Sequence, residues 1–327
     1  MEPISLVVPT RGRPHSLCRS LPTFLANLDD LAELVIVDQS LDDRTASVVA
    51  PYTSRPKVRY LRFHGGGLSV ARNFGCHLVS TPLVAFTDDD CLIPEGWARS
   101  VSDQMVEGEI GAFFGAVVAE PFDWRIGHTP SAPYLPERNI QNAEPGSIPG
   151  IMGANMAIRR DALLRVGGFD PYLGAGARFK AAEEVDLTYR LLLAGYRVAV
   201  RPTPAVIHFG FRTYASGQSR EVVRATHRGV SAYLAKHARV GDLRAMRAYV
   251  GYLANTSRQV IGNVRRGQRP FGFTRIALTL FGFVDSFKYR VDRDRRLFTD
   301  RARETGAHSS QAPLERKSDK ETVSSQS

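Results

Sequence analysis

The run Leu83-Val84-Ala85-Phe86-Thr87-Asp88-Asp89-Asp90 ends an apolar stretch on three adjacent carboxylates. Adjacent anions at the end of a buried strand need a compensating cation. If the backbone stays extended, the period of two puts Asp88 and Asp90 on one side and Asp89 on the other. Oxygen ligands at that spacing suit a divalent magnesium or manganese ion shared with a phosphate group. A solvated acidic turn, which Pro94 allows, is the alternative.

Three further groups have chemistry in reach. His64-Gly65-Gly66-Gly67 leads into the helical pattern Leu68-Ser69-Val70-Ala71-Arg72-Asn73, so backbone amides there approach a phosphate or simply close a tight turn. The loop is not G-x-G-x-x-G after a first strand, which leaves a dinucleotide-dependent dehydrogenase little support. Glu183, Glu184 and Asp186 open a helical stretch that Gly195 terminates. The helix dipole favours carboxylates in a first turn, and the same field would keep Glu184 ionised, as a general base must be. His208, after the apolar Ala205-Val206-Ile207, is a candidate metal ligand or a structural histidine.

Positioning these residues requires a sheet. Short apolar runs at 4–8, 34–37, 58–63, 83–86 and 113–118 read as strands, with helical patterns near 13–28, 42–50 and 68–79 between the first four. This alternation predicts an α/β fold, a doubly wound, mostly parallel sheet flanked by helices. Ligands bind outside the carboxyl ends of such strands, so Pro9, Thr10 and Arg11, then Asp38, Gln39 and Ser40, join the aspartates as candidates. Asp38 either accepts from a base or ribose or starts a turn. Further strands fall near 154–158 and 197–207, and from 218 the pattern is helical.

The 327 residues, 43% apolar and 23% charged, exclude disordered and fibrous classes. The formal charge of +10 comes from residues 216–303, which hold 19 basic and 6 acidic side chains. Cys18, Cys76 and Cys91 match neither a disulfide framework nor a C-x-x-C metal site, which predicts a reducing compartment. The N-terminus lacks the basic start and apolar segment of a secretory signal, and no apolar run reaches membrane-spanning length. The polar residues 304–327 are expected to be a disordered tail.

Taken in order, Val7-Val8-Pro9-Thr10-Arg11, Val37-Asp38-Gln39-Ser40, Gly67-Leu68-Ser69-Val70-Ala71-Arg72-Asn73, Phe86-Thr87-Asp88-Asp89-Asp90, Gly153-Ala154-Asn155-Met156-Ala157-Ile158-Arg159-Arg160, Gly167-Gly168-Phe169-Asp170 and Glu183-Glu184-Val185-Asp186-Leu187 resemble glycosyltransferase family 2, inverting enzymes of the GT-A fold. The resemblance implies a nucleotide-sugar donor, with Pro9, Thr10, Arg11 and Asp38 around the base and ribose and Arg72 near the donor. Asp88 and Asp90 would form the D-x-D pair, Asp88 towards the ribose and metal and Asp90 on the metal, with Asp89 also at the donor and His208 as a further ligand of the divalent ion. Glu184 stands where the family usually has the Asp of its Glu-Asp motif, one methylene longer, and would be the catalytic base. Gly153, Asn155, Phe169, Asp170 and Glu183 would form the floor and acceptor wall.

Residues 1–215 are therefore expected to be the GT-A domain and 216–303 a basic helical accessory module. Phe273, Ile276, Leu280, Val284, Phe287 and Val291 recur at helical spacing among arginines and lysines that include Arg265, Arg266, Arg269, Arg275 and Lys288. Either this helix packs on the catalytic domain with a solvated basic rim, or it lies on an anionic membrane surface. No nucleic-acid-binding motif accompanies the charge. The expected function is metal-dependent transfer of a sugar to a hydroxyl of a glycan, lipid-linked or other acceptor, in the cytoplasm or on the inner face of the membrane. A sugar-phosphate nucleotidyltransferase and a non-catalytic sugar-nucleotide-binding scaffold are the rivals.

Overall fold

The structure, a computed structural model, describes residues 1–267 and 273–300. The chain runs β1 (Ile4–Thr10), α1 (Pro14–Leu25), β2 (Glu33–Asp38), α2 (Arg44–Val49), β3 (Val58–Arg62), α3 (Leu68–Leu78) and β4 (Leu83–Phe86). It continues through β5 (Cys91–Leu92), α4 (Trp97–Asp103), β6 (Ile110–Ala119), β7 (Gly127–His128), β8 (Arg138–Ile140) and β9 (Met156–Arg159). Then follow α5 (Arg160–Arg165), α6 (Glu183–Leu193), β10 (Arg197–His208), β11 (Arg212–Thr213), α7 (Gln218–Arg239), α8 (Leu243–Arg265), α9 (Phe273–Asp285), β12 (Arg290–Val291) and β13 (Phe298–Thr299).

The main sheet has the order β3-β2-β1-β4-β9-β6-β10-β5, with β8 beside β10. β3, β2, β1 and β4 are parallel, as the alternation of strand and helix requires. β9 enters antiparallel between β4 and β6, so the sheet is mostly parallel, as expected, with an antiparallel insertion that the apolar runs did not mark. The period of two sends Ile4, Leu6 and Val8 of β1 into one core with Leu17, Leu21 and Phe24 of α1 and Trp97 of α4. Val7 joins the opposite core with Ala71 of α3 and Leu187 and Leu191 of α6. Burial on both faces explains the continuous apolar runs.

A third core, around Phe179, Tyr233, Leu234, Tyr249 and Phe298, joins α7 and α8 to the segment before α6. Beside it lies a charged cluster without solvent access. Lys236 on α7 reaches Asp170 at 2.5 Å and Asp186 at 2.8 Å. Asp186 also takes Arg190 at 2.9 Å and His237 Nε2 at 2.9 Å. Burial holds the His237 imidazole down at about 4, although Asp186 pulls it upward. α7 is thus wired to α6 and to the segment before it. The expected tail, and Arg269 of the basic rim, lie outside the described residues.

Candidate active site

β1 and β4 are adjacent and parallel, so their carboxyl ends bring Thr10 and the aspartate run to one edge of the sheet. After β4 the Thr87 hydroxyl donates to the Ala154 carbonyl at 2.8 Å, fixing the exit. The three carboxylates then diverge. Asp88 keeps 24% of its side chain exposed and meets Arg72 Nη2 at 3.2 Å. Asp89 points inward, accepting from Thr10 Oγ1 at 2.6 Å and Arg13 Nε at 3.2 Å, with Arg13 Nη2 in ion-pair contact with its other oxygen at 2.5 Å. Burial pushes its carboxyl up to about 7 against the pull of Arg13. Asp90 accepts from Arg13 Nη1 at 2.7 Å and lies 3.2 Å from His208 Nε2. Burial alone would raise Asp90, but the His208 hydrogen bond and Arg13 outweigh it and bring it to about 2.

Part of the cation that the aspartates require is therefore Arg13, two residues beyond the Arg11 singled out from sequence. Arg11 is exposed and lines the cavity described below.

The residues fit a divalent ion. β10 ends on His208, directly opposite Cys91 in the antiparallel register. Ligand atoms of Asp90, Cys91 and His208 lie within 4.8 Å of one another. His208 Nδ1 is buried without a hydrogen-bond partner. Gly210 keeps the space open, since a Cβ there would stand 2.4 Å from Asp90 Oδ2 and 2.9 Å from His208 Cε1. The carboxylate donor suits manganese or magnesium, and the imidazole adds a softer nitrogen donor beside it. Cys91 does not: burial, reinforced by Asp88 and Asp90, raises its thiol well above the usual range, and a protonated thiol is a poor ligand.

Behind Asp88 a buried relay leads to α6. The Arg72 guanidinium, 1% exposed, bridges Asp88 and, at 3.2 Å, Glu183. It lies over the Phe169 ring at 5.5 Å. Gly153 makes room for it, because a Cβ would come within 2.7 Å of Arg72 Nη2. Glu184 has its Oε2 buried and unpartnered. Burial first and Glu183 second raise its carboxyl well above the ordinary range, so enclosure outweighs the helix field expected to keep it ionised. The approach to α6 is strained: Lys180 and Ala182 hold φ of 56° and 73°, the left-handed region.

Two cavities adjoin at this edge. The smaller, about 310 Å³, is lined by Pro9, Thr10, Arg11, Gln39, Gly67, Asp88 and His208, among others. The larger, about 570 Å³, shares Arg13, Asp90, Ala175, Gly176 and Arg212 with it and adds Lys180 and Ala181. Its far wall is α7, through Gln218, Val222, Ala225 and Thr226.

Several expected site residues take other places. Asp38 is fully buried, accepting from the Ser40 N–H at 2.8 Å and the Tyr60 hydroxyl at 2.6 Å, while its neighbour Gln39 faces the small cavity. Asn155 is enclosed, donating to the Ala116 and Pro204 carbonyls and accepting from Trp97 Nε1. Phe169 packs edge-on against Phe86, and Asp170 belongs to the Lys236 cluster. Neither cavity has the expected base Glu184, the expected donor residues Asp38, Arg72 and Asp89, or the expected acceptor residues Gly153, Asn155, Phe169, Asp170 and Glu183 in its lining. Arg13, Gly210, Arg212 and the α7 wall were not foreseen. Their only sequence signals are Arg13 near the first strand's end and Arg212 four residues after His208.

Residues 5–167 match the sequence profile described as Glycosyl transferase family 2. The chain carries a glycosyltransferase family 2 domain. This glycosyltransferase domain has curated relatives at low identity. A stretch of 153 residues is 28% identical to pre-mycofactocin glycosyltransferase of Mycobacterium tuberculosis, covering 44% of this chain and 30% of that protein. Another of 103 residues is 36% identical to validoxylamine A glucosyltransferase of Streptomyces hygroscopicus, covering 30% and 24%. The chain thus spans less than a third of the length of these relatives. Among solved structures, the glycosyltransferase superposes on a Pyrobaculum calidifontis mannosyltransferase in complex with GDP-Man and Mn2+ with a TM-score of 0.57 at 18% identity, over 88% of this chain and 86% of that one. That likeness establishes a shared fold, with the helical region included in the superposed length.

Proposed function

We propose that the protein is a metal-dependent inverting glycosyltransferase that moves a sugar from a nucleotide-sugar donor to an acceptor hydroxyl. The observation that carries this reading is the small cavity, lined by Asp88, Asp90 and His208 beside Arg13 and Arg212, with Asp90 3.2 Å from His208 Nε2. Magnesium or manganese bound by Asp88, Asp90 and His208 would supply positive charge where a diphosphate leaves. Pro9, Thr10, Arg11 and Gln39 form the side on which a nucleoside fits. Arg13 and Arg212 line both cavities, so they stand at the junction where phosphate charge grows as the glycosidic bond breaks. The larger cavity suits the acceptor, a hydroxyl of a glycan or lipid-linked sugar.

Glu184 is the base in this reading. Its raised pKa moves it toward the range in which a carboxylate takes a proton efficiently, and it lies three residues beyond the cavity-lining Ala181. Arg72 links the relay carboxylate Glu183 to Asp88, tying the base helix to the donor side. Asp38 acts one step back, holding the turn from which Gln39 reaches the cavity. The free cysteines support a reducing, cytoplasmic location.

Thermal shift against nucleotide sugars, with manganese and with chelator, tests donor and metal together. A donor that stabilises only with the ion, and is turned over by wild type while Glu184→Gln binds without turnover, is expected. Pyrophosphate release from a nucleoside triphosphate and a sugar phosphate would instead establish the nucleotidyltransferase. Equal turnover with chelator present would remove the metal from the mechanism.

A further inference from the structure

Helices α8 and α9 turn apolar side chains outward. On α8, Leu243, Met246, Val250, Ile261 and Val264 are exposed and recur at helical spacing along one stripe. On α9 the burial is reversed from the usual amphipathic order. Thr279, Gly282 and Asp285 face inward, with Gly282 seated so closely on α7 that a Cβ would stand 2.6 Å from the Arg228 carbonyl oxygen. Phe273 and Val284 remain 62% and 66% exposed, and Leu280 and Phe281 are exposed beside them. The Tyr249 and Phe283 rings, 4.3 Å apart, join the two helices, and each has an exposed apolar residue one turn earlier, Met246 and Leu280.

The charges on these helices have one sign. α8 contains no acidic residue, and the single one in α9, Asp285, is buried on Arg178, Arg228 and Lys288. Arg247, Arg258 and Arg265 are exposed along one edge of the α8 stripe, seven or eleven residues apart. A second copy of this chain would set arginine against arginine. An apolar surface beside unopposed arginines matches an interface where hydrocarbon lies under a layer of anionic headgroups. No helix among the described residues is long and apolar enough to cross a membrane, so the contact is a lateral one. α8, 23 residues long, extends about 34 Å.

We propose that the outer face of α8 and α9 seats this protein on an anionic lipid bilayer. The inference goes beyond the transferase reading and concerns a different surface from the two cavities.

Co-sedimentation of the full chain with phosphatidylcholine vesicles, with and without phosphatidylglycerol, tests it. Wild type is expected to pellet with the anionic vesicles and stay in solution with the neutral ones. Arg258→Gln and Arg265→Gln should each weaken the partition about fivefold. Leu280→Asp and Val284→Asp should each weaken it about 10- to 100-fold. Far-ultraviolet circular dichroism and donor-induced thermal shift should be unchanged in all four variants. Equal recovery from both vesicle types, no recovery from either, or variants that bind as wild type would overturn the proposal. A concentration-dependent dimer in light scattering that Leu280→Asp abolishes would assign the face to a second copy instead. Donor binding reads out separately, so loss of either property leaves the other measurable.

Discussion

Asp88, Asp89 and Asp90 were conspicuous in the sequence because adjacent acids rarely end a buried strand uncompensated. Arg13 and Arg212 were not, because arginine is common along this chain and only the fold shows which guanidinium faces a carboxylate. Asn155 and Asp170 show the converse: a polar residue in a recurring motif is equally able to satisfy buried partners, and both are enclosed here. Three predictions belong to this scale. Because enclosure raises Glu184, its neutral form persists above the ordinary carboxylate range, and a base must be ionised. Turnover should therefore rise about tenfold per pH unit on the acid side of that pKa and level off above it. Glu184→Gln should lower kcat by about 10²- to 10⁴-fold without loss of donor binding. A flat profile through the acid range would exclude Glu184 as base. Gly153→Ala, with its Cβ pressed on Arg72, should displace the guanidinium from Asp88 and cut kcat/KM by about 10-fold or more, measured by steady-state transfer.

The strands were legible as apolar runs, since burial on both sheet faces leaves no polar alternation to confuse them. What the runs did not carry was direction. β9 is only four residues long, and its antiparallel course depends on the long connection from β6, which local periodicity does not encode. In α9 the apolar spacing was found correctly, yet it marks the outer face, because Gly282 and Thr279 give α7 a closer approach than leucine or phenylalanine would. The link from α7 to the sheet is one exposed only by three-dimensional structure. Lys236→Met leaves Asp170 and Asp186 buried with less compensation, and unfolding in urea should show a loss of about 3–5 kcal/mol. Stability equal to wild type would mean that Arg190 and His237 suffice.

At the scale of the molecule, the family profile ends at residue 167, but the larger cavity is closed by a helix that starts at Gln218. The end of the sheet and α7 thus line one cavity together, even though the charge count sets them apart in sequence. The excess of base over acid and the apolar spacing of α9 were legible in the sequence; the exposed stripe that α8 adds beside it was not. That arginine edge on α8 pulls in two directions as ionic strength changes. Added salt screens the mutual repulsion among like charges that the folded helix holds together, so the melting temperature should climb in buffer. The same screening weakens the pull of any oppositely charged surface, so a protein grown hardier in brine should also be the one that lets go of its support.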